Sequence, residues 1–196
     1  GALTLVVGDL WAKGAQGAYY AFRMRRAFRR AASESASPAS ILSALNDTLA
    51  DDLEAHGVNG LCSAFVTTFS AHGNLICAAA GAEAAILFRD RDKHEHLGAT
   101  GPLAGIERGA FFAELELAFS SGDALVAFTD GITESRFAGD EQRFLGTHGL
   151  VEIVRRVATA RVLPAPRDVF REIEMWNGGN FRDDATLAIA SPAEAP

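Results

Sequence analysis

Three acidic sites stand beside strand-like segments of this sequence, far apart along the chain. Asp9 comes shortly after the strand-like segment Leu3–Val7, and Asp130 comes shortly after the uninterrupted apolar run Ala124–Phe128. The pair Asp183–Asp184 precedes a third segment, in which apolar residues alternate. Carboxylates that meet at one edge of a sheet, with no histidine or cysteine beside them, offer the oxygen ligands that Mg²⁺ and Mn²⁺ prefer. The pattern predicts a divalent-cation site if the three sites converge.

Asp130 has a second feature, because Gly131 follows it directly. A strand buried on both faces would hold the carboxylate rigidly, and a glycine lets the backbone turn and a ligand approach closely. The simpler interpretation of an Asp-Gly pair is a turn that closes a β-hairpin. The repetition of acidic residues at two other strand ends favours the ligand-binding interpretation.

The length, composition and net charge of the chain exclude several classes of protein. With 196 residues, 48% of them hydrophobic and 22% charged, the chain is typical of a globular protein with one substantial core. The net charge of -7 argues against general nucleic-acid binding. No segment approaches the roughly 20 apolar residues that cross a bilayer, and Cys62 and Cys77 are too few for a disulfide framework. We therefore expect a cytoplasmic protein whose two cysteines are reduced core residues.

The boundaries of the domain follow from the two ends of the sequence. We predict a single domain over residues 1–192, followed by a frayed tail at residues 193–196. Because the chain starts with Gly1 rather than Met and its first strand begins at once, we expect it to have been cut from a longer protein.

Two amphipathic helices are expected after the first strand. Apolar residues at helical spacing predict the first helix from about Ala18 to Ala32, after a loop at Gly14–Gly17. The second helix is predicted to begin with Ser37 as N-cap and Pro38 as its first residue, and to end near Gly57. The first helix carries a basic strip with two interpretations, a phosphate- or partner-binding surface or a solvated face; its members are Arg23, Arg25, Arg26, Arg29 and Arg30.

Strands fill the middle of the chain, and two more helices precede the last strand. The charged segment Arg89–His96 is expected to be an exposed turn, in which His94 and His96 are more simply surface residues than metal ligands. This grouping of strands and helices favours an α+β fold, with helices packed outside antiparallel sheets. The further strands are expected at Leu61–Ser70, Leu75–Ala80, Ala84–Phe88, Phe112–Phe119 and Ala185–Ala190, and the helices around Leu150–Val157 and Val169–Ile173.

Five motifs in this order resemble those of the metal-dependent protein phosphatase (protein phosphatase 2C-like) family, in its bacterial branch typified by the stage II sporulation phosphatase. The match runs over almost the whole chain, and the fourth motif together with the fifth makes it specific. The resemblance implies an α-β-β-α sandwich of two mainly antiparallel sheets flanked by helices, with a two-metal site at one end. The motifs are GDLWAKG at Gly8–Gly14, AGAEA at Ala80–Ala84, GPLAG at Gly101–Gly105, GDALVAFTDGITE at Gly122–Glu134 and DDATL at Asp183–Leu187.

The resemblance also implies a role for each acidic residue. Asp9 would bridge two Mn²⁺ or Mg²⁺ ions, and Leu10 would contribute its backbone carbonyl. Asp130 and Asp183 would each bind one ion. The ions would activate a shared water for attack on phosphoserine or phosphothreonine, without a covalent enzyme intermediate. Supporting positions beside the site would be Gly131, Asp184 and Trp11.

The function implied is that of a serine/threonine protein phosphatase acting on a bacterial signalling protein, such as an anti-sigma-factor antagonist, under the control of an upstream sensor or regulatory domain. The sequence departs from the family pattern at three places, of which the first and the third support an alternative, a degenerate phosphatase-like domain used for regulation or protein binding. Trp11 and Ala12 replace a small Ser and Gly, and Ala82–Ala84 replaces His-Pro-Pro. The third departure is the lack of the acidic G-G-D motif that the family has upstream of Gly8, because the chain begins too late to contain it.

Overall fold

The computed structural model describes residues 2–56, 60–70, 73–81, 85–89, 93–158 and 164–192. The chain divides into two compact units, one formed by Gly1–Ala85 with His96–Ser120 and the other by Ile86–Glu95 with Ser121–Pro196. The single domain predicted over residues 1–192 stays a prediction. The tail at 193–196, the Ala82–Ala84 departure and the predicted helix end near Gly57 lie outside the described residues.

The elements follow one another in the order expected for an α+β fold. In chain order they are β1 (Leu3–Leu10), α1 (Gly14–Glu34), α2 (Pro38–His56), β2 (Cys62–Phe69), β3 (Asn74–Ala80), β4 (Ala85–Phe88), β5 (His94–Leu97), β6 (Leu115–Ala118), β7 (Ala124–Phe128), α3 (Asp130–Thr133), β8 (Arg136–Phe137), β9 (Asp140–Phe144), α4 (Gly146–Val157), α5 (Pro166–Asn177) and β10 (Leu187–Ala190).

The first unit contains a four-stranded sheet in the order β1-β2-β3-β6, with antiparallel pairing throughout. Helices α1 and α2 pack on this sheet through one apolar cluster, because their buried stripes meet small side chains of β2 and β3. The fully buried Ile41, Leu42 and Leu49 of α2 lie at helical spacing in this core. Burial of this stripe is what stabilises α2 as a helix.

The two helix starts in the first unit differ in how well the sequence predicts them. Ser37 caps α2 as expected, since its Oγ accepts a hydrogen bond from Ser40 N at 3.1 Å and Pro38 is the first helical residue. The predicted loop at Gly14–Gly17 is wrong, because α1 already begins at Gly14. A Cβ on Gly17 would lie 2.5 Å from Ala12 O. The glycine therefore permits a close backbone approach inside the first turn, rather than marking a loop.

The second unit contains a sheet in the order β10-β7-β4-β5 and a small hairpin of β8 and β9. Every residue of β7 is buried, which confirms the predicted central strand. Helices α4 and α5 cover this sheet through a second apolar cluster, and Gly178 caps the C-terminus of α5 in the left-handed conformation, with φ of 68°. Two antiparallel sheets, each carrying helices, confirm the α+β class. Among the described residues, no helix has the length and apolar character that a bilayer span requires.

Residues 90–92 of the charged segment predicted as an exposed turn lie outside the described residues, and the end of the segment forms strand β5 instead of a turn. Its charges have partners within the unit, because Arg89 bonds Glu95 at 2.7 Å and the buried Asp123 at 3.0 Å. The ring of His94 lies 6.0 Å from that of Phe88, and its Nδ1 is 3.1 Å from Arg155 Nη2. Ion pairing and ring packing therefore allow a strongly charged segment to serve as an edge strand.

Candidate metal centre

Two of the acidic sites are adjacent in the second unit because β7 and β10 are antiparallel neighbours. Leu187 pairs with Phe128, so the end of β7 and the start of β10 lie at the same end of the sheet. Asp130 begins α3 just after β7, and Asp183 and Asp184 precede β10. A carboxylate oxygen of Asp130 lies within 4.8 Å of one from Asp183.

Thr129 joins the two loops that carry these carboxylates. Its Oγ1 donates to Asp184 O at 3.2 Å and accepts from Thr186 N at 2.9 Å. Its backbone N–H also donates to Thr186 O at 3.1 Å. The sequence pattern does not predict a role for this residue, because it shows only a hydroxyl directly before Asp130 in the fourth motif.

Gly131 lets the two loops approach more closely than any other residue would allow. A Cβ at this position would lie 2.5 Å from Asp184 O and 2.9 Å from Asp184 C, both of them backbone atoms. Asp130 and Gly131 also form the first turn of α3 rather than the turn of a β-hairpin. The simpler interpretation of Asp-Gly is therefore wrong, and the glycine serves a close backbone approach.

The carboxylate of Asp130 fits a cation ligand. Its Oδ1 is buried and has no hydrogen-bond partner within the described part of the chain. A buried carboxylate oxygen without a donor costs free energy, which a bound cation would offset. No histidine or cysteine among the described residues belongs to a cluster that could hold a metal. A donor set of carboxylates suits Mg²⁺ or Mn²⁺ rather than Zn²⁺.

Asp9 and Leu10 lie in the first unit, on β1. The prediction that this strand ends at Val7 is wrong, because Asp9 pairs with Ser63 and Leu10 pairs with Cys62 in the antiparallel ladder with β2. Asp9, the candidate carboxylate ligand, and Leu10, the candidate carbonyl ligand, therefore both lie within strand β1. Their backbone positions are set by β2 rather than by a loop.

The two cysteines are buried and free, as predicted for core residues. Burial, reinforced by the carboxylate of Asp9, raises the pKa of the Cys62 thiol to about 12. Burial and then Glu114 raise the pKa of the Cys77 thiol to about 11. Neither thiol is ionised near neutral pH, so neither supplies a nucleophilic or metal-binding thiolate.

Trp11 is 58% exposed, and its backbone N–H donates to Leu61 O at 2.8 Å. The indole therefore does not fill a gap in the core of the first unit, whereas the neighbouring Ala12 does pack against that core. Because the indole is exposed and Trp11 follows Asp9 by two residues, any role of this side chain lies at the surface of the protein.

The chain is similar to known proteins along most of its length. Residues 1–192 match the family model described as stage II sporulation protein E (SpoIIE). The chain is 22% identical over 193 residues to phosphoserine phosphatase RsbU of Bacillus subtilis (strain 168), covering 95% of this chain and 55% of that protein. It thus spans about half the length of this relative.

Solved structures share the fold at low sequence identity. The SiaA-PP2C domain of Pseudomonas aeruginosa superimposes with a TM-score of 0.76 at 19% identity, over 95% of this chain and 73% of that one. The catalytic domain of the serine/threonine protein phosphatase PstP, solved with two manganese ions, gives a TM-score of 0.68 at 13% identity, over 95% and 85% of the two chains. These matches confirm the fold predicted from the five motifs.

Proposed function

Because the chain belongs to the stage II sporulation protein E (SpoIIE) family, we propose that it is a metal-dependent serine/threonine protein phosphatase. The observation that carries the proposal is the pair of carboxylates from Asp130 and Asp183 at the shared end of β7 and β10, with a buried oxygen of Asp130 that lacks a described hydrogen-bond partner. Such a pair is suited to holding a hard divalent cation.

We propose that two Mn²⁺ or Mg²⁺ ions are held by the carboxylates of Asp9, Asp130 and Asp183 together with the backbone carbonyl of Leu10. The description of the PstP domain with two manganese ions supports this choice of ion. When bound, the ions supply Lewis acidity and a water of lowered pKa, and they neutralise charge on a phosphoryl group.

The residues of the chain itself position the carboxylate ligands and leave the site open to a substrate. Asp130 is the first residue of α3 and follows the buried strand β7 by two residues, so folded elements fix its backbone position before any ion binds. Asp183 and Asp184 are exposed, which lets a phosphorylated side chain on another protein reach this edge of the sheet. Because both thiols have a raised pKa, neither cysteine supports the covalent route of a cysteine phosphatase, and attack by water is the route we propose.

The substrate we propose is phosphoserine or phosphothreonine on a bacterial signalling protein in the cytoplasm. The name of the relative RsbU, a phosphoserine phosphatase, supports that chemical class. An anti-sigma-factor antagonist is the specific substrate class proposed, with an upstream sensor or regulatory domain as its control. A second candidate, a phosphatase-like module that only binds a partner, is favoured by the exposed Trp11 in place of a small residue.

Hydrolysis of a phosphoserine peptide with and without metal tests the proposed reaction. We expect phosphate release with added Mn²⁺ or Mg²⁺, loss of release with excess EDTA, and recovery when the metal is returned in excess. The measurement is inorganic phosphate against time at fixed protein concentration. Release that EDTA leaves unchanged would contradict the metal-dependent mechanism, and no release with any metal favours the binding module.

The two adjacent acids of the fifth motif should differ in their effect on metal affinity. Asp183→Asn is expected to weaken Mn²⁺ binding more than Asp184→Asn, because a carboxylate oxygen of Asp183 lies within 4.8 Å of one from Asp130, whereas Asp184 is not a member of that cluster. The backbone of Asp184 instead accepts a hydrogen bond from Thr129, which the substitution preserves. Isothermal titration of both variants with Mn²⁺ measures the difference. A larger loss in Asp184→Asn would exchange the two roles.

Trp11→Ser is expected to change stability little, because an indole that is 58% exposed is not part of the packed core. Truncating a buried Trp would instead cost about 3–5 kcal/mol. If the indole covers the approach to the site, hydrolysis of a small aryl phosphate should rise in the variant. If it contacts the partner protein, kcat/KM on a phosphoprotein should fall. A large fall in melting temperature with unchanged kinetics would show that Trp11 is a packing residue.

A further inference from the structure

Helix α1 presents an aromatic side chain at the centre of its solvent-facing side. Phe22 is 60% exposed and Tyr19 is 46% exposed, although both are large apolar or amphipathic residues. Tyr20 and Met24 are buried on the same helix. At about 3.6 residues per turn, Phe22 lies nearly opposite both of them. Phe22 therefore plays no part in attaching α1 to the sheet of the first unit.

Arginines surround this aromatic centre. Arg25 and Arg26 lie one turn after Phe22, and Arg29 lies two turns after it, all at exposed positions. The other two arginines of the helix are held by acidic partners, because Arg23 bonds Asp52 at 2.9 Å and Arg30 bonds Glu34 at 3.0 Å. We call the set the α1 outer face; it consists of Tyr19, Phe22, Arg25, Arg26 and Arg29.

The composition of the α1 outer face is that of a binding surface. Aromatic residues and arginine are enriched where protein interfaces bind most strongly, while a helix side that serves only solubility is polar throughout. The helix carries five arginines and one glutamate, in a chain whose net charge is -7. A concentration of positive charge on one helix of an acidic protein attracts a negatively charged partner to that helix.

We propose that the α1 outer face binds an acidic segment of a partner protein. Carboxylates of that segment pair with Arg25, Arg26 and Arg29, and an apolar side chain of the segment covers Phe22. A second copy of this chain does not fit, because a two-fold dimer through this face opposes the arginines of one copy to those of the other. The acidic remainder of the chain opposes approach to an extended anionic surface such as a membrane or a nucleic acid. The inference does not depend on phosphatase activity.

The test measures binding of a fluorescein-labelled peptide built from repeats of Glu-Glu-Leu to the 196-residue chain by fluorescence anisotropy, without added metal. We expect binding that weakens as salt is raised, because the arginines are exposed. The triple variant Arg25→Gln, Arg26→Gln and Arg29→Gln should bind at least about tenfold more weakly, and Phe22→Ala at least about fivefold more weakly. Glutamine and alanine retain helix propensity, so circular dichroism should show an unchanged fold.

A matched control removes the same charge elsewhere. Arg156, Arg167 and Arg171 lie on α4 and α5 with side chains that are 65%, 84% and 71% exposed, and their replacement by Gln should change peptide affinity less than about twofold, as for exposed charges outside a binding site. Equal losses in both triple variants would show general charge attraction and overturn the proposal, as would no measurable binding of the peptide.

Two further measurements separate other occupants of the α1 outer face. Sedimentation velocity that shows self-association abolished by Phe22→Ala would replace the acidic partner with a second copy. Tighter binding to phosphatidylserine vesicles than to the peptide, lost in the Arg25, Arg26 and Arg29 variant, would replace it with a membrane. Because no assay contains a metal ion, failure of the proposed phosphatase function leaves these results unaffected.

Discussion

Asp130→Asn is expected to reduce turnover of a phosphoserine peptide with Mn²⁺ by more than about a hundredfold, since the loss of even an outer partner of a metal ligand costs about 10–100-fold. The amide keeps one acceptor oxygen but presents N–H donors and no negative charge to a cation. The fold should persist, because the buried Oδ1 of Asp130 has no described hydrogen-bond partner to lose. Removing its charge should leave the free energy of unfolding of the metal-free protein unchanged or raised.

Thermal unfolding with and without Mn²⁺ separates a loss of metal binding from a loss of structure. Wild-type protein should melt at a higher temperature with Mn²⁺, because an ion that binds only the folded state stabilises it, and Asp130→Asn should lose most of that increase. Asp140→Asn is a suitable control, because this exposed residue of β9 accepts a hydrogen bond from Gln142 N through Oδ1, which asparagine retains. Wild-type turnover in Asp130→Asn would remove Asp130 from the mechanism.

Gly131→Ala is expected to lower both stability and metal affinity by displacing the loop of Asp183 and Asp184. The new Cβ would lie 2.5 Å from Asp184 O and 3.3 Å from Ala185 Cα, and a backbone atom cannot rotate aside as a side chain can. Overpacking of this kind costs about 1–3 kcal/mol. Because the displaced loop carries Asp183, we expect Mn²⁺ to bind more than about tenfold more weakly, as when the support of a metal ligand is lost.

Isothermal titration with Mn²⁺ at a temperature well below the melting transition measures the affinity, and calorimetric unfolding without metal measures the stability. Gly98→Ala is the matched control, because a Cβ at Gly98 meets no atom within 4 Å, and both quantities should stay at their wild-type values. If Gly131→Ala kept wild-type melting temperature and Mn²⁺ affinity, the close approach of α3 to the Asp184 backbone would have no role in metal binding.

Local patterns in the sequence predicted the features that short segments determine. The apolar run Ala124–Phe128 is the buried strand β7, and Ser37 with Pro38 begins α2. Capping and burial periodicity act between residues close in the chain, so a single segment encodes them. The sequence also identified Asp130 and Asp183 as candidate ligands, because their residue types and motif order are visible without coordinates.

Contacts between distant segments decided the features that local patterns predicted wrongly, which include the extent of β1 and the presence of β5. Strand β1 extends through Asp9 and Leu10 because Ser63 and Cys62 pair with them, and β5 is a strand because it pairs with β4 at the edge of its sheet, where Arg89 bonds the distant Asp123. Here the free energy of pairing depends on partners that no local pattern specifies.

The same division applies to the candidate metal centre. The sequence by itself determined which carboxylates were available, the order of the motifs and the family to which they belong. Only the tertiary structure decided that Thr129 joins the loop of Asp184 and that Gly131 leaves room for that loop. A hydrogen bond and a close approach across more than 50 intervening residues depend on how β7 and β10 pair, and that pairing exists only in the folded chain.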